Sequence, residues 1–307
     1  MITSLFRKST PVNYAVVFIA AAVCFFMYHS SRPTDSQLPL LTKLMLLLSI
    51  FVMLFLSNFI IKKNDLSKDS CYTILFYLLF LLFFPNVMAD PNILLSALFI
   101  LLALRRLISL HTSQNTKEKI FDASLWICIA ALFHFWTILF LILVFFSILF
   151  HAAGDYRNWI LPFLAIITVT VSALVYAFTF DESFITDFQN KMYADLSFKF
   201  FNDLTRNISL SVYLTLVLFF FTSMLITIRN RPLQLQSSYQ KIIFALIIAL
   251  AVFAISPNTR NELMIYTIAP LSFMATSHME LPYSRLKQDI TLAFLIVCSF
   301  TAFIFQL

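Results

Sequence analysis

The run DASLWICIAALFHFWTILFLILVFFSILF, residues 122–150, holds 29 residues with one strongly polar group in its interior, His134. A bilayer crossing takes about 20 apolar residues and tolerates about 17 to 25. The run is therefore too long for one ordinary span and short for two, and the charges around it decide between them. Short loops rich in Lys and Arg stay cytoplasmic. By that rule the N-terminus (Arg7, Lys8), the 62–70 loop (Lys62, Lys63, Lys68), the 105–121 stretch (Arg105, Arg106, Lys117, Lys119) and the 229–241 loop (Arg229, Arg231, Lys241) all lie inside. Between 121 and 229 the chain must then cross an even number of times. The apolar runs 159–180 and 208–228 supply two crossings, so 122–150 contributes none or two. Two is the reading adopted: a hairpin of short helices turning near His134-Phe135-Trp136-Thr137.

The other candidate spans are 12–28, 40–61, 71–88, 92–110, 241–256, 263–279 and 289–306. With the hairpin this gives about 11 crossings of an all-α polytopic chain, N-terminus inside and C-terminus outside, in a cytoplasmic membrane. The expectation is a single integral membrane domain over residues 1–307. Only Arg32, Lys43, Lys191, Lys199, Arg206 and Arg260 of the 21 basic residues are left for the outer face, which agrees with the parity argument without having entered it. The longest outer connection, 181–207, repeats apolar residues every fourth position from Phe184 to Leu204, with charges between them. That pattern predicts an amphipathic helix lying along the outer surface.

Composition supports a membrane chain and narrows its chemistry. Hydrophobic residues make up 61% and charged residues 12%, where soluble domains hold about 45–50% and about 25%. The single glycine, Gly154, removes Gly-rich phosphate loops, dinucleotide fingerprints and GxxxG helix contacts, all of which need bare backbone. With 37 phenylalanines, helices must meet through large interdigitating rings. The net charge of +6 reads as cytoplasmic loops and not as a nucleic-acid surface. Cys24, Cys71, Cys128 and Cys298 lie in or beside apolar runs without CxxC or histidine spacing, and read as small buried hydrophobes. No HExxH, DxD or nucleophile elbow is present, so no metal or other cofactor is expected.

What chemistry remains lies in the outer connections. Asp90, in Asn86-Val87-Met88-Ala89-Asp90-Pro91, is the N-cap of the following span, a site carboxylate, or both at once, since an acid at the membrane boundary is costly unless solvated, paired or used. Asp35 is the only acid of the first outer loop and reads either as a general base or as half of a loop ion pair. Arg32 and Lys43 are its nearest cations in sequence, and Lys43 also suits simple snorkelling. Arg260 and Glu262, in Ser256-Pro257-Asn258-Thr259-Arg260-Asn261-Glu262, either pair with each other or hold an anionic headgroup or phosphate. His134 reads as a packing histidine or as a substrate-facing group.

Three stretches together resemble the GT-C superfamily of polytopic glycosyltransferases. Asn86–Pro91 followed by Ile93–Leu107 is similar to that family's outer acid feeding a span that ends in arginine. Ile129–Phe140 resembles its short hairpin, where a polar residue stands at the position of His134. Arg260–Pro270 resembles its late arginine followed by a proline-bearing span. The resemblance implies transfer of a sugar from a polyprenyl-phosphate carrier to an acceptor on the outer side. Asp35, with Asp90, would then act on the acceptor, while Arg32, Lys43, His134, Arg260 and Glu262 bind substrate. The first outer loop is shorter than in that family and its aspartate pair is absent. The hairpin is also similar to that of small bacterial polysaccharide polymerases, and the topology to uncharacterised bacterial membrane families. The competing expectations are a non-enzymatic subunit of an envelope assembly or secretion complex, with a protein partner, and a transporter. In every case the implied partners are membrane lipids, with a lipid-linked sugar donor in the first.

Overall fold

A chain this apolar must satisfy its backbone within each segment, because hydrocarbon offers no hydrogen bonds. The computed structural model shows that solution throughout: it describes residues 6–31, 39–112, 114–180, 183–193, 204–256, 261–282 and 284–307, and among these every regular element is helical. The α-helices are α1 (Pro11–Ser31), α2 (Leu40–Lys63), α3 (Tyr72–Leu81), α4 (Pro91–Ile108), α5 (Thr116–Phe133), α6 (Leu141–His151), α7 (Tyr156–Phe180), α8 (Ser183–Asn190), α9 (Leu204–Thr227), α10 (Leu233–Ile255), α11 (Ile265–Met279) and α12 (Arg285–Ile304). Among the described residues seven helices are long and apolar enough to cross a membrane: Pro11–Ser31, Leu40–Lys63, Pro91–Thr112, Tyr156–Phe180, Leu204–Asn230, Leu233–Ile255 and Leu286–Ile304. Two more apolar helices, Tyr72–Leu81 and Phe135–His151, are shorter.

Prolines and charges account for the short ones. The expected span 71–88 is a helix only to Leu81, and Pro85 then opens a 3-10 turn over Pro85–Ala89, since proline cannot donate the next helical bond. The 122–150 run does break at His134, whose backbone is extended (φ −137°, ψ 104°), with a 3-10 turn over Phe135–Phe140 leading into α6. Its first arm begins earlier than the apolar run, at Thr116, because the charges there are satisfied locally. Asp122 Oδ2 meets Arg106 at 2.7 Å, and Lys119 Nζ donates to the Ser109 carbonyl at 2.8 Å.

The chain packs as two units, Met1–Leu94 with Phe200–Asn230 and Ile268–Leu307, and Leu95–Lys199 with Arg231–Thr267. In the first, α3 is buried along its whole length and its rings interlock with those of α9. Phe80 meets Tyr213 edge-on at 5.9 Å, and Phe84 meets the same tyrosine at 4.8 Å. At one end of this unit Glu280 accepts from Ser67 and Ser70, and Asp69 accepts from Ser9 and Lys62. At the other, Tyr28 donates to Asn86, and Gln306 to the Phe83 carbonyl and to Ser209.

In the second unit α5 packs on α7, while α10 packs on α6 and on the turn after His134. One end gathers the Arg106–Asp122 and Lys117–Asp155 pairs, the Ser237–His151 contact and a bond from Lys241 to the Leu107 carbonyl. Lys241, which the sequence places in a cytoplasmic loop, thus stands inside α10 with no exposed surface. The helix begins eight residues before the expected span because Gln234, Gln236, Ser237, Ser238 and Gln240 continue it, and Gln236 and Ser237 find polar partners.

Candidate functional site

The opposite end of the second unit brings together three connections that the sequence assigns to the outer face. His134 ends α5, and its Nε2 shares a 2.8 Å hydrogen bond with Ser256 Oγ, where α10 stops. The imidazole stacks on Tyr266 at 5.8 Å between centroids, with 28° between the planes. Tyr266 lies in the first turn of α11, and the 3-10 turn Asn261–Met264 before it packs against α10. Glu262 thus stands one turn before the tyrosine, with its Oε2, the Asn261 Oδ1 and the Tyr266 hydroxyl all buried. The third connection follows α7. Phe188 of α8 meets Phe135 edge-on at 5.7 Å, and Trp136 Nε1 donates to the Tyr193 carbonyl at 3.3 Å.

Helix α8 realises the first part of the amphipathic pattern, with Phe184 and Phe188 stacked one turn apart. The later part of the pattern, residues 194–203, lies outside the described residues. Below α8 runs a groove of about 270 Å³ between α5 and α7, with a lining that is apolar apart from Thr170 and Gln189. Phe135 is part of that lining, so the residue after His134 faces the apolar groove while His134 itself faces the polar cluster.

Burial separates the roles within the cluster. Ser256 is wholly buried, which makes it a partner that orients the imidazole and not a group a substrate reaches. His134 and Glu262 are half-buried and are the members able to meet a ligand. Sequence reasoning singled out both of these. It missed Ser256 and Tyr266, although a serine closing an apolar span directly before Pro257 is a visible signal.

The remaining sequence candidates fall elsewhere. Asp90 caps α4: its Oδ1 accepts from the Asn92 and Ile93 amides at 3.0 and 3.2 Å, satisfying the first turn of that helix. Lys43 stands half-buried in the first turn of α2. Both belong to the first unit. Arg32, Asp35 and Arg260 lie outside the described residues. Among the described residues no group of three His, Cys, Asp or Glu is placed to hold a metal ion. Cys24, Cys71 and Cys128 are buried free thiols, and Cys298 is half-buried.

Helix content and site together describe a multi-pass α-helical membrane chain with a histidine-centred polar cluster at the turn of a hairpin. Over residues 1–307 the chain belongs to a family of unknown function, DUF6427. No curated protein and no solved structure matches it.

Proposed function

We propose that the protein crosses the cytoplasmic membrane 11 times, N-terminus inside, and uses the end bearing His134 and Glu262 to handle a lipid-linked sugar donor outside. The segregation of polar contacts within each unit supports the topology. Segments assigned to the inside (6–10, 62–71 and 280 in one unit; 105–122, 151–158 and 231–241 in the other) bond among themselves, and so do those assigned to the outside. Cysteine accessibility tests it: Lys68→Cys, Asn115→Cys and Asn230→Cys label only from inside, and Ser31→Cys and Tyr193→Cys only from outside. Labelling of either set from the wrong side removes the topology.

The observation that carries the chemical reading is the apolar groove that begins at the residue next to His134. A polyprenyl chain fits such a groove, with its phosphate held beside His134 and by Arg260. Glu262 would take the proton of an acceptor hydroxyl as that oxygen bonds to the anomeric carbon. The bond from that carbon to the phosphate oxygen breaks, and polyprenyl phosphate leaves with the electron pair. Asp35 and Asp90 remain alternative bases. Surface glycan in cells carrying Glu262→Gln, Arg260→Ala, Asp35→Asn or Asp90→Asn, with lipid co-purified from the wild type, tests this. Loss of glycan with a polyprenyl phosphate bound supports transfer, whereas unchanged glycan in all four variants sinks it.

One observation favours the second reading, a non-enzymatic subunit of an envelope complex: Asp90, the most visible outer acid, is engaged as a helix cap. That reading expects a co-purifying protein partner and no effect of the acid substitutions.

A further inference from the structure

A second cavity, of about 310 Å³, lies in the first unit between α9, the end of α11 and the start of α12. Its walls include Phe219, Met279 and Ile290, and Phe219 and Ile290 are themselves 46% and 67% exposed. A wall that is both apolar and open faces lipid in a membrane-spanning chain. The polar groups of the lining are spent, with one exception. Gln288 Nε2 donates to the Met279 and Leu281 carbonyls, Thr291 to the Lys287 carbonyl, and the His278 ring bonds Ser223 at 2.5 Å between Phe219 and Phe220. The exception is Lys287, exposed at the rim, whose Nζ has no partner among the described residues. The carboxylate of Glu280 is turned to the 67–70 loop, where both its oxygens accept, and makes no ion pair with Lys287. Asp289, two residues on, is outside the lining.

One unspent cation above an apolar wall fits a ligand with one negative charge and a hydrocarbon tail. Basic pockets between membrane helices on the cytoplasmic side bind anionic headgroups in this way. We infer that this cavity binds one anionic glycerophospholipid, its phosphodiester on Lys287 and an acyl chain along Phe219 and Ile290. The inference rests on the chain spanning a membrane and is independent of the glycosyl-transfer reading.

Native mass spectrometry of the full chain in mild detergent, offered equal phosphatidylglycerol and phosphatidylcholine, tests it. The wild type is expected to retain one phosphatidylglycerol preferentially. Lys287→Gln should lower that preference about five-fold, the effect of one lysine near an anionic surface, while Lys287→Arg keeps it. Lys287 is exposed, so the substitution leaves folding intact, and a thermal melt of the same sample checks this. Three results overturn the inference: no preference in the wild type, an unchanged preference in Lys287→Gln, or the same loss in Lys63→Gln, which would reduce the effect to bulk charge. Competition by glycerol phosphate at equal concentration also overturns it, since the chain would then contribute nothing. Failure here leaves the cysteine-labelling test of topology unaffected.

Discussion

Lys241 Nζ donates 2.7 Å to the carbonyl of Leu107, and the lysine has no exposed surface. Leu107 is the penultimate residue of α4, so the lysine Nζ donates at the negative end of a helix, where the last carbonyls run out of partners in their own helix. Replacement tests this assignment with a clear order. Lys241→Met removes the charge along with its burial cost and leaves one carbonyl unmet, for a net loss of about 1–2 kcal/mol at most. Lys241→Glu places an acid against the same negative helix end and should cost more, about 3 kcal/mol or above. Thermal melts in detergent should therefore fall in the order wild type, Met, Glu. Equal melting of the two variants would show that the helix end does not hold the lysine.

Outside the spans, two carboxylates link stability to pH. The Ser9 hydroxyl and Lys62 hold the Asp69 carboxyl below its ordinary 3.8, and Lys117 with the Arg157 amide does the same for Asp155. A depressed carboxyl stabilises the fold above its unfolded value and loses that contribution as pH falls through the folded one. The window therefore opens near pH 3.8 and extends downward. Both groups are exposed, so the effect is small and weakened by salt. Between pH 5 and 3 the wild-type melting temperature should drop more steeply than that of the double variant Asp69→Asn with Asp155→Asn. Parallel curves would remove these pairs from the acid response.

Glu280 organises the 62–71 loop by accepting from the Ser67 and Ser70 hydroxyls at 2.5 and 2.7 Å and from the Lys68 amide at 2.9 Å. Only the Lys68 amide must donate, since the two serine hydroxyls can turn to accept, so Glu280→Gln keeps the contacts but exchanges a charged acceptor for a neutral amide. Hydrogen bonds to a charged acceptor contribute about 1.5–3 kcal/mol each. The variant is expected to lose a comparable amount of stability and to speed amide exchange in residues 66–71, while exchange in α5 and α7 is unchanged. Unaltered exchange in that loop would mean that Glu280 does not anchor it.

The sequence made some of this legible and hid the rest for physical reasons. Charge bias and span length were enough to place the break at His134, because both are read along one continuous segment of chain. Asp before Pro91 announced its capping role for the same local reason. The bond from Lys241 to Leu107 joins residues 134 apart, and that from Glu280 to Ser67 joins residues 213 apart. Local patterning carries no such information, so a buried helix-capping lysine read as a loop charge. The His134–Ser256 pair is of the same kind, 122 residues apart. Only the expectation that both residues border outer connections pointed toward it.

That pair also supports an experiment that separates packing from chemistry. His134→Phe keeps a ring to stack on Tyr266 but strands the wholly buried Ser256 hydroxyl. An unmet buried polar group costs about 1–3 kcal/mol, whereas removing both partners is nearly neutral. The single variant should therefore melt lower than the double variant His134→Phe with Ser256→Ala, with a coupling of about 1 kcal/mol in the cycle. If His134 only packs, surface glycan follows stability and returns in the double variant. If His134 touches the substrate, as proposed, the double variant is stable and still lacks glycan. Recovery of glycan together with stability would withdraw His134 from the chemistry and leave it as the post on which the hairpin turns.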